Sequence, residues 1–116
     1  MTVEEIFSTV INHMAEGVMY HKEFVKAYDF LGLWGFSECH TYHQFEEAYN
    51  YRRFYHYYAT HYFKLIPPID IKKPEIIPAS WYKYSSSAVD NGTKKTAVKE
   101  LMNKWVEWER STKQLY

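Results

Sequence analysis

The sequence predicts an all-α fold: an antiparallel helical hairpin, an extended crossover and a third long helix, in one domain spanning residues 1–116. Three observations carry this expectation. Apolar residues recur at alternating three- and four-residue intervals over about residues 3–31 and again over about 37–66, a spacing that lines one face of a helix. All four prolines fall between residues 67 and 92, and proline stops helices because it lacks an amide donor and restricts the residue before it. A third periodic segment follows, over about residues 93–115.

In the first helix, Thr2 is placed as N-cap, with Glu5 three residues on completing a capping-box pattern. The expected inward stripe is Val3, Phe7, Val10, Met14, Gly17, His21, Phe24, Tyr28 and Leu31. The opposite face carries Glu5, Thr9, Asn12, Glu16, Glu23 and Lys26. Gly32 and Gly35, around Leu33-Trp34, mark the turn.

Ser37 is the expected N-cap of the second helix. Its apolar stripe is read as Tyr42, Phe45, Tyr49, Arg52, His56, Ala59, Phe63 and Ile66, stopped by Pro67-Pro68. The short connection makes the pair an antiparallel hairpin. Residues 67–92 are too many for an ordinary helix connection and predict a surface crossover, pinned by Trp81, Tyr82 and Tyr84. In the third helix, Ala97, Leu101, Trp105, Trp108 and Leu115 share a face. No glycine or proline stop precedes Tyr116, an open end that suggests either that more chain once followed or that it follows in the full gene product.

Composition narrows the function. Fourteen basic and 14 acidic residues cancel, which argues against a nucleic-acid binder or a polybasic membrane sensor. The single cysteine, Cys39, cannot form an internal disulfide, so a reducing cytoplasmic setting is expected, with the thiol buried or half-buried. No run of about 18 apolar residues predicts a membrane span. Tyrosines number 12, and each needs a hydroxyl partner when buried.

There is no Gly-rich phosphate loop, Cys-x-x-Cys, His-Glu-x-x-His or Gly-x-Ser-x-Gly, and no residue is assigned a catalytic role. His13 with Glu16, and His43 with Glu46 or Glu47, have spacings by which one helix offers two metal ligands, or makes two exposed helix-stabilising pairs. At ~1.5 Å per residue the two pairs stand roughly 20 Å apart. His21, Arg52 and His56 interrupt apolar stripes and are expected to be buried and hydrogen-bonded. Among carboxylates, Glu16 or Glu23 could come level with Glu47, and the third helix adds Glu107 and Glu109. Carboxylates projecting from several helices hold iron or manganese in bundle proteins; the alternative is a set of solvated charges.

Three stretches carry a family resemblance: His43-Gln44-Phe45-Glu46-Glu47, then Ile69-Asp70-Ile71-Lys72-Lys73-Pro74, then Glu107-Trp108-Glu109. Over about 100 residues the chain resembles the ferritin family, the second stretch being similar to the Asp-Ile-x-x-Pro segment that opens the ferritin crossover. The resemblance implies a ferritin-like bundle lacking the fourth helix. It also implies a metal site with Glu47 as central ligand, Glu16 or Glu23 from the first helix, and Glu107 or Glu109 from the third. The family's second helix carries Glu-x-x-His, whereas Glu47 is followed by Ala48-Tyr49-Asn50. With Asn50 in place of the imidazole, any iron or manganese site is expected to be weak and mononuclear, with ferroxidase activity reduced or lost.

Two functional expectations result. One is a ferritin-like protein binding iron or manganese through helix carboxylates. The other is a metal-free helical scaffold or adaptor that self-associates and binds a protein partner. Both include a homo-oligomer, a dimer or higher, because an incompletely closed bundle exposes apolar surface; the Trp105–Trp108 stripe is expected to pack within the chain and across a symmetric contact.

Overall fold

A computed structural model of the chain describes residues 2–65, 74–83 and 89–115. Helix α1 spans Val3–Phe30, α2 Trp34–Tyr62 and α3 Asn91–Leu115, with a short 3-10 helix at Ala79–Lys83 before α3. The described residues are all-helical, as expected. None of their helices is long and apolar enough to cross a membrane.

The ends of α1 follow from local chemistry. Thr2 is extended, and its Oγ1 accepts a 3.1 Å hydrogen bond from the Glu5 amide, as expected of an N-cap. At the other end the Gly32 amide donates to the Asp29 carbonyl and the Leu33 amide to the Tyr28 carbonyl. Gly32 has φ +72°. This is a Schellman stop, which places glycine where a Cβ is unwelcome.

Helix α2 starts at Trp34, before the expected N-cap. Ser37 is buried inside the first turns, where its hydroxyl donates to the Trp34 carbonyl; Leu33 precedes the helix without any side-chain cap. Gly35 is helical, so Gly32 alone makes the turn. The helix ends at Tyr62, with Phe63 left-handed at φ 54°. The expected stop at Pro67-Pro68 and the residue Ile66 lie outside the described residues. Asp90 caps α3, its Oδ1 accepting from the Thr93 amide at 2.7 Å, and hydrogen bonds from the Thr93 amide and hydroxyl hold its carboxyl below the usual range.

Helices α1 and α2 pack along their lengths, while α3 meets α1 mainly through large side chains. The larger core joins Phe24, Ala27, Tyr28 and Leu31 of α1 to Ala97 and Leu101 of α3, with Ile76 between them. Each fully buried large side chain of this kind stabilises the fold by about 1.5–3 kcal/mol. Further along, Thr112 of α3 reaches His13 of α1, so the two helices run antiparallel. Beyond that point the core is Ile11 and Tyr58 with Phe7, Tyr51 and Tyr55, from α1 and α2 only. The result is elongated, 53 × 23 × 21 Å.

Part of the crossover is strapped down. Trp81 stacks on Phe30, and the Lys104 ammonium donates to the carbonyls of Glu75 and Ile76. Tyr82 is exposed; Tyr84 lies outside the described residues, as does the Ile69–Lys73 part of the ferritin-like segment.

The α1 and α3 stripes face inward largely as expected, but the α2 stripe does not. Tyr42, Phe45 and Tyr49 are 67, 65 and 64% exposed, and Arg52 and His56 are exposed too, contrary to the expected burial. The inward residues are Ser37, His40, Gln44, Glu47, Tyr51, Tyr55 and Tyr58. That row lies two positions on, about 200° around a helix of 3.6 residues per turn. Helix α2 carries large rings on both faces, so apolarity alone does not select the buried one. Two smaller corrections concern Glu23, expected on the outer face but 6% exposed, and Cys39, which is exposed. Glu23 lies beside Pro74, Glu75 and Ile77 of the strap, which covers that side of α1.

Candidate functional site

Where α1, α2 and α3 meet, three imidazoles cluster. His21 of α1 and His40 of α2 are each 1% exposed, and their Nδ1 atoms lie 2.9 Å apart. One ring therefore donates and the other accepts. His43, one turn beyond His40, stacks on His21 with centroids 5.1 Å apart, and Trp105 sets its edge against both His40 and His43. Phe24 and Tyr28 close the other side of His40.

Burial, then the neighbouring rings, pushes His21 down to about 3. Burial, then His43, pushes His40 down to about 4. Both rings are neutral at physiological pH. His21 thus has the buried partner the sequence leads one to expect; His40 and His43 were not foreseen there. Ser37, His40, Gln44 and Glu47 do repeat at helical intervals, but so does the rival row Tyr42, Phe45 and Tyr49, and spacing alone does not choose between them.

The predicted ligands fall into separate groups. Glu47 of α2 leans over Gly17 of α1: a Cβ at Gly17 would stand 3.1 Å from the Glu47 Cδ and 3.3 Å from Trp108. Glycine is what lets the carboxylate and the indole approach α1 together. Burial raises the Glu47 pKa, and Glu109 and Glu46 raise it further. Asn50 is half-buried, one turn after Glu47. Glu109 accepts from the Trp105 indole N–H at 3.1 Å.

Glu16 and Glu107 instead share a cleft of about 560 Å³ with His13, Tyr20 and Lys104. Burial there raises the Tyr20 pKa, with Glu16 and Glu107 adding to the shift. Glu23 accepts from Lys26 at 3.2 Å. Among the described residues, no group of three or more His, Cys, Asp or Glu side chains is disposed to hold a metal ion. His13 bonds to Thr112 at 2.7 Å and stacks on Trp108, which also stacks on Tyr20. Trp108 is thereby buried within the chain, and Trp105 partly so.

The opposite face of α2 exposes a row of aromatic rings. Tyr42, Phe45 and Tyr49 run along it, with the Arg53 guanidinium 5.5 Å from the Tyr49 ring centroid. Nearer the end of α2 a cleft of about 530 Å³ opens between Phe7, Phe54, Tyr57 and Arg53. No protein-family model, curated protein or solved structure matches the chain.

Proposed function

We propose that this chain is a helical interaction module, a scaffold that self-associates and binds protein through the outward face of α2. One observation carries the reading: Tyr42, Phe45 and Tyr49 leave about two-thirds of their surface in water along a single helix face. Contiguous exposed apolar surface of this kind marks interaction sites, and tyrosine and arginine are the residues such sites favour. The histidine cluster supports a scaffold rather than a reaction centre, because its two neutral rings are closed off from any substrate. A photo-crosslinking phenylalanine analogue in place of Phe45 is expected to give covalent adducts with a polypeptide, lost on adding Tyr42→Ser and Tyr49→Ser. The same analogue at the exposed residue Lys99 is expected to give none. Absence of adducts at Phe45 would sink the reading.

A second reading, a ferritin-like bundle binding iron or manganese at Glu47, draws on the crowding of Glu109 and Glu46 around that half-buried carboxylate. A cation would relieve the repulsion. Calorimetric titration of ferrous iron or manganese should then show binding in the wild type, loss in Glu47→Ala and tighter binding in Asn50→His. No heat in any of the three would dispose of it.

A further inference from the structure

We propose that the occupant of the outward α2 face is a second copy of this chain, paired antiparallel about a two-fold axis near Tyr49–Arg52; this rests on the interaction-module reading and specifies its partner.

The face is a coiled-coil seam. Tyr42, Phe45, Tyr49, Arg52, His56 and Ala59 alternate at three- and four-residue intervals, the a/d pattern of a helix that meets another helix. Among the described residues, α1 and α3 pack on the far side of α2 and leave that seam exposed. Tyr42, Phe45, Tyr49, Arg52 and His56 are all exposed.

Charge selects both the partner and its direction. Along the seam Glu46 lies before the midpoint and Arg52 and Arg53 after it, all exposed. A parallel pair would set Arg52 against Arg52 within the seam and leave Glu46 facing no arginine. An antiparallel pair sets each Glu46 beside the arginines of the other copy, twice, by symmetry. Like charges facing each other suppress a wrong alignment and opposite charges favour the right one. A surface whose charge pattern is complementary to its own reversed copy is what an isologous dimer requires.

The ring contacts agree. With the axis between Tyr49 and Arg52, each Tyr49 meets an Arg52 guanidinium, a cation–π contact. Phe45 meets His56, and the large Tyr42 faces the small Ala59. Glu47, on the inner side, stays against Gly17 and takes no part.

The exposed native thiol of Cys39 makes the geometry measurable. Spin labels on Cys39 should lie about 30–35 Å apart in the antiparallel pair, from ~1.5 Å rise per residue over the intervening turns. Light scattering should give the mass of two chains. Glu46→Lys alone and Arg52→Glu/Arg53→Glu together should each weaken self-association about tenfold or more, and an equimolar mixture of the two variants should restore it. These side chains are exposed, and unchanged circular dichroism would show that the variants fold. A dimer with labels closer than about 20 Å would overturn the antiparallel arrangement. A single-chain mass up to about 100 µM would overturn self-pairing itself. If the Phe45 crosslinker then still captured another polypeptide, with the seam dependence described above, the module reading would survive; if it captured none, both would fall.

Discussion

The Nδ1 atoms of His21 and His40 sit 2.9 Å apart at the centre of the α1–α2 contact, a single shared proton joining two neutral rings. Their folded-state values, about 3 and about 4, lie below the ordinary 6.5. The unfolded chain therefore takes up protons first as the pH falls. Stability from this pair is complete above about pH 6.5 and is lost progressively toward pH 4, at no more than about 1.4 kcal/mol per pH unit for each ring. Urea midpoints should be lower at pH 5 than at pH 7.5. Equal midpoints would mean the rings are not held neutral by burial.

The same pair predicts an asymmetry between single and double replacement. His40→Ala opens a hole and leaves the His21 nitrogen without its partner, costing on the order of 2–4 kcal/mol. His21→Leu with His40→Leu removes both polar partners and fills the space, so at pH 7.5 it should cost far less than His40→Ala. It should also abolish most of the acid sensitivity. Chemical denaturation at two pH values reads both effects, and a double variant as acid-sensitive as the wild type would contradict the assignment.

Glu47 gives the opposite sign. Its folded-state pKa is raised by burial and by Glu109 and Glu46, so its ionisation opposes folding. That cost is absent below its unfolded value and grows as the pH rises through the raised one. Glu47→Gln should raise the melting temperature at pH 7.5 and make little difference at pH 4. Gly17 is coupled to it: Gly17→Ala should destabilise despite alanine's better helix propensity, because the Cβ meets Glu47 and Trp108. Shortening the acid to Glu47→Ala should recover part of that loss in a double-mutant cycle. Strict additivity would show that the contact is not felt.

Much of the fold was legible in the sequence, and one helix face was not. Helix α1 obeys its pattern because its polar residues lie mostly on one side, and Thr2 caps it as its chemistry demands. In α2 both candidate rows are aromatic. Local pattern could not show that Ser37, His40 and Tyr58 face inward, since what settles the matter is the polar partner His21 waiting on α1. The carboxylates were legible as residues, but their grouping depends on the α3 register. The corrected register is testable: Tyr58→Ala should cost about 3–5 kcal/mol, while Arg52→Ala and His56→Leu should each lie within about 0.5 kcal/mol of wild type in the monomer. Denaturation in dilute solution separates these contributions from self-association. A large loss at Arg52 together with a small one at Tyr58 would restore the sequence-based face.

Gly32 and Gly35 are indistinguishable in a sequence reading that treats both as turn residues, yet the structure gives them opposite roles. Gly32 closes α1 at φ +72°, with open space where a Cβ would sit. Gly32→Ala therefore meets no neighbour, and its whole penalty is the left-handed backbone, about 1–2 kcal/mol. Gly35 lies in the first turn of α2 and also has nothing near its Cβ position. Alanine there fits the existing helix and removes conformational freedom only from the unfolded chain, a gain of about 0.4–1 kcal/mol. Melting temperatures should therefore fall for Gly32→Ala and rise for Gly35→Ala. Both effects should persist under conditions that keep the chain monomeric, because Gly32 precedes α2 and Gly35, one heptad before Tyr42, lies ahead of the stretch that pairs. A rise at Gly32 or a fall at Gly35 would mean that α2 begins later than Trp34, nearer the start at Ser37 that the sequence suggests.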